Sequence, residues 1–228
     1  MLPMPDTMSV ILTGHTVCAA EFELANVRQE VRIPQSKRLF DIAFAVVVTV
    51  ALLSWLVPII AVLIKLESKG PVFFKQLRTG RGGEAFYCFK FRSMRVNADS
   101  DTKQASRGDA RVTKVGAYLR KTSLDELPQF FNVLFGEMSI VGPRPHMLAH
   151  TEAYSLAIHN FMDRHLGMPG ITGLAQVSGY RGETRELSAM AKRVNADIYY
   201  LHNQSLWLDV KIVLLTVRQA LRKNEHVF

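Results

Sequence analysis

An uncharged apolar run from Ile42 to Ile64 constrains the fold of this chain more than any other feature of its sequence. As an α-helix rising about 1.5 Å per residue, these 23 residues would be about 34 Å long. The hydrocarbon core of a bilayer is about 30 Å thick. Helices buried in soluble domains rarely extend so far without a charged residue, so the run predicts contact with a membrane.

Two arrangements of this helix agree with the sequence. Pro58 lies inside the run and has no N–H group to donate, which predicts a kink at that position. Lysines and arginines occur on both sides of the run, and basic flanks are typical of the cytoplasmic side of a membrane. A re-entrant helix that enters one leaflet, bends at Pro58 and returns would keep both flanks in the cytoplasm. A kinked single span fits the length equally well.

The excess of positive charge lies beyond this helix. The sequence has 28 Lys and Arg and 20 Asp and Glu residues, a net charge of +8, and residues 1–65 contribute none of it. This distribution predicts an anionic partner, which could be nucleic acid, anionic lipid or a phosphorylated substrate. No predicted helix is dense in Lys and Arg, and no aromatic stacking motif is present, so nucleic-acid binding is not expected.

The remaining patterns predict an α+β fold that is mostly helical. Two runs rich in aromatic and β-branched residues, VFFKQLR and AFYCFKF, surround TGRGGE and indicate a β-hairpin. The pattern predicts a loop over residues 96–110 and a turn over residues 168–173. Helices are expected over residues 146–163, 185–201 and 206–223.

Asp125 and Glu126 are neighbours at the predicted start of another helix. Acidic residues are favoured at helix N-termini, and Ser123 with Glu126 three residues later has the spacing of a capping box. Pro128 is tolerated only near a helix start, which agrees with this position. The alternative is chemical, because one carboxylate could act as a nucleophile towards phosphorus while the other binds a hard cation.

Basic residues along the chain would suit a phosphate-binding site. Arg144 lies in the sequence GPRP, where two prolines stiffen the backbone, and a rigidly held guanidinium suits two-point contact with phosphate. Lys90 and Arg92 alternate with phenylalanines on a predicted strand and therefore share one of its faces. The plainer alternative is that these are ordinary surface charges. The glycine motifs of P-loop and Rossmann proteins are absent from the sequence.

Several segments together resemble the bacterial sugar transferase family, the monotopic polyprenyl-phosphate phosphoglycosyl transferases. These segments are KRLFD, GPVFFKQLRTGRGG, FKFRSM, RVTKVGAYLRKTSLDELPQFFNVLFGEMSIVGPRP and PGITGLAQVSGYRGET. The combination of SLDELPQ with MSIVGPRP is the most specific part, and the resemblance covers about residues 36–225. The family's re-entrant helix is broken at a Ser-Pro pair. Here Val57 replaces the serine, although Ser54, one turn before Pro58, could bond a freed carbonyl.

The resemblance implies an enzyme that transfers a hexose-1-phosphate from a UDP-sugar to undecaprenyl phosphate, with Mg²⁺ as its cofactor. This reaction would initiate exopolysaccharide, capsule or O-antigen synthesis. By motif, Asp125 would be the nucleophile that forms an aspartyl-phosphosugar intermediate, and Glu126 would bind Mg²⁺. The basic residues that would bind the substrate phosphates are Lys90, Arg120, Arg144, Arg111 and Arg181.

The resemblance also implies a division of the chain and a location. Residues 1–35 would be a flexible lead-in, residues 36–66 a re-entrant membrane helix, and residues 67–228 a cytosolic catalytic domain with short amphipathic helices at the membrane interface. The location would be the cytoplasmic face of the bacterial inner membrane. The segment GLAQVSGYRGET resembles the branch that transfers glucose-1-phosphate, with galactose-1-phosphate as the nearest competitor. A non-catalytic scaffold would have lost the Asp-Glu pair, which is present.

Overall fold

The computed structural model describes residues 33–96, 108–180 and 186–221. Residues 1–32 of the predicted 1–35 lead-in, most of the predicted 96–110 loop, and Arg181 lie outside these ranges. In chain order the elements are α1 (Gln35–Glu67), β1 (Phe73–Thr79), β2 (Ala85–Phe91), α2 (Lys114–Thr122), α3 (Gln129–Phe135), β3 (Ser139–Val141), α4 (Leu148–Ala157), β4 (Gly170–Thr172), α5 (Leu174–Val177), α6 (Leu187–His202) and α7 (Leu206–Leu221). The predicted α+β fold, mostly helical, is confirmed.

Helix α1 contains the apolar run and is long and apolar enough to cross a membrane. Many of its large apolar side chains face away from the protein, and Val47, Val50 and Leu66 are 64%, 69% and 80% exposed. A helix at the centre of a soluble core would bury these groups. Contiguous exposed apolar surface of this kind marks a site of interaction, so the structure supports the predicted contact with a membrane.

The irregular part of α1 lies directly before Pro58. A π-helical turn at Thr49–Leu53 interrupts the helix, and the backbone is α-helical again through the proline. Such a turn changes the pairing of backbone carbonyls, and Ser54 Oγ donates to the Val50 carbonyl at 2.7 Å. The serine hydroxyl therefore satisfies a carbonyl within the π turn, one turn earlier than the group that Pro58 leaves unbonded.

Strands β1 and β2 form the predicted antiparallel hairpin. Phe73 pairs with Phe91 at its open end and Thr79 pairs with Ala85 beside the turn. Gly82 has a φ of 65°, in the left-handed region that glycine adopts without steric cost, which explains the glycine-rich turn sequence.

The second half of the chain differs from the prediction in two places. Residues 146–163 were expected to form one helix, but they divide into α4 and a 3₁₀ helix at Phe161–Leu166. The predicted turn at residues 168–173 contains strand β4, which runs parallel to β3. A three-residue strand whose partner is distant in sequence has no local signature, and the Pro169-Gly170 pair at its start is typical of a turn. The helices predicted over residues 185–201 and 206–223 are confirmed as α6 and α7.

A buried polar network joins the start of α1 to the C-terminal helices. Lys37 Nζ lies 2.9 Å from Asp209 Oδ2, and the Tyr200 hydroxyl oxygen lies 2.6 Å from Asp209 Oδ1 and 3.0 Å from the Val141 carbonyl oxygen. All three side chains are buried. Because a buried charge is costly unless it is paired, this network fixes α1 against β3, the strand that directly precedes the segment with Arg144.

Candidate active site

Asp125 and Glu126 lie in a 3₁₀ turn, Leu124–Glu126, between helices α2 and α3. Ser123 joins this turn to α2 with a left-handed φ of 59°. Pro128 directly precedes α3, as predicted. The predicted capping box is wrong, because the Ser123 side chain makes no capping hydrogen bond and the Glu126 carboxylate is used elsewhere.

The Glu126 carboxylate is held by two cations. Lys90 Nζ, from β2, lies 2.7 Å from Oε1, and Arg144 donates from Nη1 to Oε2 at 3.0 Å and from Nη2 to Oε1 at 2.5 Å. The side chains of Glu126, Lys90 and Arg144 are 13%, 16% and 30% exposed. Lys90 and Arg144, which were predicted to bind phosphate, are therefore in direct contact with Glu126.

The two neighbouring carboxylates have opposite electrostatic environments. Burial alone would raise the pKa of Glu126, but Arg144 and Lys90 hold that pKa well below its usual value. Burial and the Glu126 charge raise the pKa of Asp125 to about 6, against a smaller lowering by Lys90, Arg120 and Arg144. No hydrogen bond within the described ranges ends on the Asp125 carboxylate, so both of its oxygens are open to other contacts.

The hairpin that carries Lys90 is joined to α3 by a buried asparagine that the sequence reasoning missed. The Phe89 N–H donates to Asn132 Oδ1 at 2.9 Å, and Asn132 Nδ2 donates to the Tyr87 carbonyl at 2.7 Å. These bonds satisfy main-chain groups of β2 at Tyr87 and at Phe89, the residue before Lys90. They therefore fix the distance of Lys90 from Glu126. An asparagine with apolar residues on both sides, FFNVLF, is the signal that could have identified it.

The segment that carries Arg144 is held along its whole main chain, and this too was missed. The carbonyls of residues 143–146 accept hydrogen bonds from three other parts of the fold, β1, the 3₁₀ helix and β4: Gly170 N to Pro143, Arg164 Nη2 to Arg144, Arg78 Nη1 to Pro145 and Thr79 N to His146. Gly142 and Gly170 allow β3 and β4 to approach closely, since a Cβ on Gly170 would lie 2.1 Å from the Gly142 nitrogen. We call residues 142–146 the Arg144 loop.

The other predicted basic residues have different positions. Arg120, on α2, is half-buried and close enough to Asp125 to lower the pKa of that carboxyl. Arg111 forms a two-point ion pair with Asp109, with a shortest contact of 2.7 Å, so its part in substrate binding stays a prediction. Arg181 lies outside the described ranges, and its role stays a prediction too.

Arg92 does not share the role of Lys90, although the two were expected to lie on one phosphate-facing edge. It is 5% exposed and donates to the backbone carbonyls of Ser68 and Lys69. Arg92 therefore anchors the hairpin to the end of α1.

A divalent cation fits this site only in a limited way. Within the described ranges, no group of three or more His, Cys, Asp or Glu side chains could hold a metal ion. Mg²⁺, however, is often bound by one or two carboxylates together with substrate phosphates. Asp125 has both oxygens open, whereas Glu126 already accepts three charged hydrogen bonds. The two carboxylates face Lys90, Arg144 and Arg120, so the site carries a net positive charge suited to a phosphate-containing substrate.

Comparisons with known proteins agree with this chemistry. The family model described as bacterial sugar transferase matches residues 33–223. A UDP-glucose:undecaprenyl-phosphate glucose-1-phosphate transferase of Xanthomonas campestris is 52% identical over 82% of this chain and 39% of its own length. A protein of the same name from Caulobacter vibrioides is 49% identical over 84% of this chain and 72% of its own length.

The relatives differ in the sugar that their names specify. A UDP-N-acetylgalactosamine-undecaprenyl-phosphate N-acetylgalactosaminephosphotransferase of Aeromonas hydrophila is 47% identical over 81% of this chain and 43% of its own length. The chain thus spans about two fifths of the length of several curated relatives that it matches. Because the family model covers nearly all of the described residues, including both carboxylates, this chain belongs to the bacterial sugar transferase family.

Proposed function

We propose that this protein transfers a hexose-1-phosphate from a UDP-sugar to undecaprenyl phosphate, and that Asp125 carries the sugar phosphate between the two substrates. One observation supports this most strongly. The Asp125 carboxylate is buried and unbonded within the described ranges, next to a Glu126 carboxylate that is already neutralised by Lys90 and Arg144. A carboxylate with few partners is the better nucleophile, because attack does not first require existing hydrogen bonds to break.

In the first step, an Asp125 oxygen forms a bond to the phosphorus that carries the sugar. The bond from that phosphorus to the bridging oxygen breaks, and UMP leaves with the oxygen and its electron pair. In the second step, a phosphate oxygen of undecaprenyl phosphate attacks the same phosphorus. The aspartyl oxygen–phosphorus bond breaks, so the Asp125 carboxylate is restored and the product is an undecaprenyl diphosphate sugar.

The cations of the site have distinct parts in this mechanism. Lys90 and Arg144 remove the repulsion that the Glu126 charge would impose on an incoming phosphate. Arg120 lies near Asp125 and would stabilise the negative charge that develops on the phosphoryl oxygens. Glu126, together with the substrate diphosphate, would hold Mg²⁺, which would supply further charge neutralisation.

Helix α1 explains how a water-soluble donor and a lipid acceptor could meet at one site. The acceptor's phosphate lies at the headgroup level, so the catalytic residues have to lie there as well. The exposed apolar surface of α1 supports contact with the membrane, and the basic residues on both of its flanks favour a re-entrant helix over a span. We therefore place the catalytic part on the cytoplasmic face of the bacterial inner membrane.

The proposed donor is UDP-glucose. This choice follows the resemblance of GLAQVSGYRGET to the glucose branch and the printed names of the Xanthomonas and Caulobacter relatives. UDP-galactose is the first alternative, and the name of the Aeromonas relative adds UDP-N-acetylgalactosamine. The intact Asp125–Glu126 pair argues against a non-catalytic scaffold.

The test is to incubate membrane fractions containing the protein with undecaprenyl phosphate and each UDP-sugar in turn. Release of UMP from UDP-glucose, lost with a chelator and restored by Mg²⁺, is the expected result. Release from UDP-galactose alone would show that the donor is wrong but the reaction right. No release from any UDP-sugar by a folded, membrane-bound protein would contradict the proposed function.

A further inference from the structure

A buried arginine contacts the Arg144 loop through its guanidinium. Arg164, in the 3₁₀ helix Phe161–Leu166, is 1% exposed. It donates to Asp197 Oδ2 from Nε at 3.0 Å and from Nη2 at 2.6 Å. The same guanidinium donates to the Arg144 carbonyl at 2.9 Å and contacts Nδ1 of His146. One side chain thus contacts the loop on both sides of Pro145.

Stability alone is a poor explanation for this arrangement. Burying an arginine and an aspartate removes two charges from water, and such pairs are often no more stabilising than apolar residues of similar volume. The guanidinium instead orients the groups around it, because its planar set of N–H donors bonds several acceptors in fixed directions at once. Here the acceptors are Asp197 on α6 and two groups of the loop. The pair therefore sets the position of the loop relative to α6.

The loop depends on other parts of the fold to hold its shape. Its two prolines have no N–H groups, so it forms no regular ladder and depends on donors from elsewhere to satisfy its carbonyls. Two of those donors are side chains, Arg78 and Arg164. Of these two, Arg164 contacts the residue whose guanidinium pairs with Glu126.

We propose that Arg164 and Asp197 are positioning residues that hold the main chain of Arg144 so that its guanidinium pairs with Glu126 rather than Asp125. This inference rests on the proposed function, because it assigns the pair a part in keeping Asp125 free for attack. The pair touches neither substrate nor the reacting atoms and acts through Arg144.

Such an indirect role predicts a non-additive double-mutant cycle. Lysine at position 164 keeps a charge for Asp197 but cannot also reach the Arg144 carbonyl and His146. Arg164→Lys should lower the rate of UMP release about 10- to 100-fold, the order of loss that small misplacements cause. In an Arg144→Lys background, where the two-point contact with Glu126 is already lost, Arg164→Lys should lower the rate by less than about twofold. If Arg164→Lys lowered the rate of UMP release by the same factor in the wild-type and the Arg144→Lys backgrounds, the proposal would be overturned.

Arg92→Lys is the matched control. It removes another buried arginine that donates to two backbone carbonyls, but those carbonyls belong to Ser68 and Lys69. Its effect on the rate, whatever its size, should be the same in both backgrounds. If Arg164→Lys does not fold, Asp197→Asn replaces it in the same cycle, with the same expected non-additivity.

Hydrogen exchange tests the loop without any need for turnover. The amides of Thr79 and Gly170 donate to carbonyls of the Arg144 loop, and their exchange should be about tenfold faster in Arg164→Lys but unchanged in Arg92→Lys. Unchanged exchange at both amides would overturn the proposal even if turnover fell. Failure of the wild-type protein to release UMP would instead count against the proposed function and leave the exchange result intact.

Discussion

Arg144 forms a two-point ion pair with Glu126 and not with the adjacent Asp125. Its Nη1 and Nη2 atoms lie 3.0 and 2.5 Å from the two oxygens of the Glu126 carboxylate. The guanidinium therefore forms hydrogen bonds with Glu126, whereas it acts on Asp125 only electrostatically, without a hydrogen bond. Together with the Lys90–Glu126 contact, this pairing gives the two neighbouring acidic residues different environments, and the predictions below depend on that difference.

The first prediction concerns this pair. Arg144→Lys keeps the positive charge but loses the planar fork, so one of the Glu126 oxygens loses its partner. We expect the rate of UMP release to fall about 10- to 100-fold. Because the Arg144 side chain is 30% exposed, the melting temperature should change little. Arg218→Lys, on the exposed side of α7, is the control and should retain the wild-type rate. Wild-type turnover in Arg144→Lys would contradict the role of the pair.

The second prediction is a pH dependence of turnover. Asp125 has to be ionised to attack, and burial raises its pKa to about 6. The rate of the first half-reaction should therefore rise between about pH 5 and pH 7 and then level off. A rate that is flat across this range, or that falls, would argue against an Asp125 nucleophile. The measurement is UMP release without acceptor, in buffers of constant ionic strength.

The third prediction is the corresponding effect on stability. The folded protein retains the Asp125 proton to higher pH than the unfolded chain, so the Asp125 contribution to the free energy of unfolding falls as pH rises from about 4 to about 6. Above pH 6 the folded protein bears the full cost of the buried anion. Asp125→Asn should then stabilise the protein at pH 7.5, by at most about 3 kcal/mol. Chemical denaturation in detergent measures this free energy. An Asp125→Asn variant less stable than the wild type would contradict the raised pKa of Asp125.

The fourth prediction concerns Asn132. Asn132→Ala would leave a peptide N–H and a carbonyl of β2 unbonded beside Lys90, at a cost of about 1–3 kcal/mol in the free energy of unfolding. We expect turnover to fall as well, because the Lys90–Glu126 distance is no longer fixed. Asn132→Asp keeps an acceptor for the Phe89 N–H, but it buries a carboxylate against the Tyr87 carbonyl and the Glu137 carboxylate and should lose at least as much stability. Equal stability of the alanine variant and the wild type would contradict this account.

The fifth prediction concerns the topology of α1. Both flanks of the helix should lie in the cytoplasm, so cysteines introduced at Glu30 and Ser100, in a chain without its native cysteines, should resist an impermeant reagent in intact cells. Labelling of either position from outside would contradict the re-entrant arrangement. Pro58→Leu should favour a straight helix and increase labelling of one flank.

The sequence predicted the parts of the molecule whose signals are local. The apolar run, the hairpin around a glycine-rich turn, and helices α6 and α7 depend on composition and periodicity within short windows. The Asp125–Glu126 pair and Arg144 were found because their motifs are specific, and the structure places Glu126 and Arg144 in contact.

The features that the sequence did not predict depend on contacts between distant segments. Strand β4 exists only because β3 lies beside it, and the turn-like Pro-Gly sequence hides it. Asn132 and Arg164 carry no motif, and only the packed fold shows that they satisfy main-chain groups next to Lys90 and Arg144. The capping box failed for a related reason, because Glu126 has stronger partners elsewhere in the fold than the local N–H group.

The most direct test of the central claim is to look for the sugar phosphate on the protein itself. Wild-type protein and Asp125→Asn are incubated with Mg²⁺ and UDP-sugar labelled in the sugar, without undecaprenyl phosphate, and the denatured protein is then analysed for bound label. We expect label on the wild type, discharged when the lipid acceptor is added before denaturation, and none on Asp125→Asn. Full turnover by Asp125→Asn, or equal labelling of both proteins, would contradict the covalent role of Asp125.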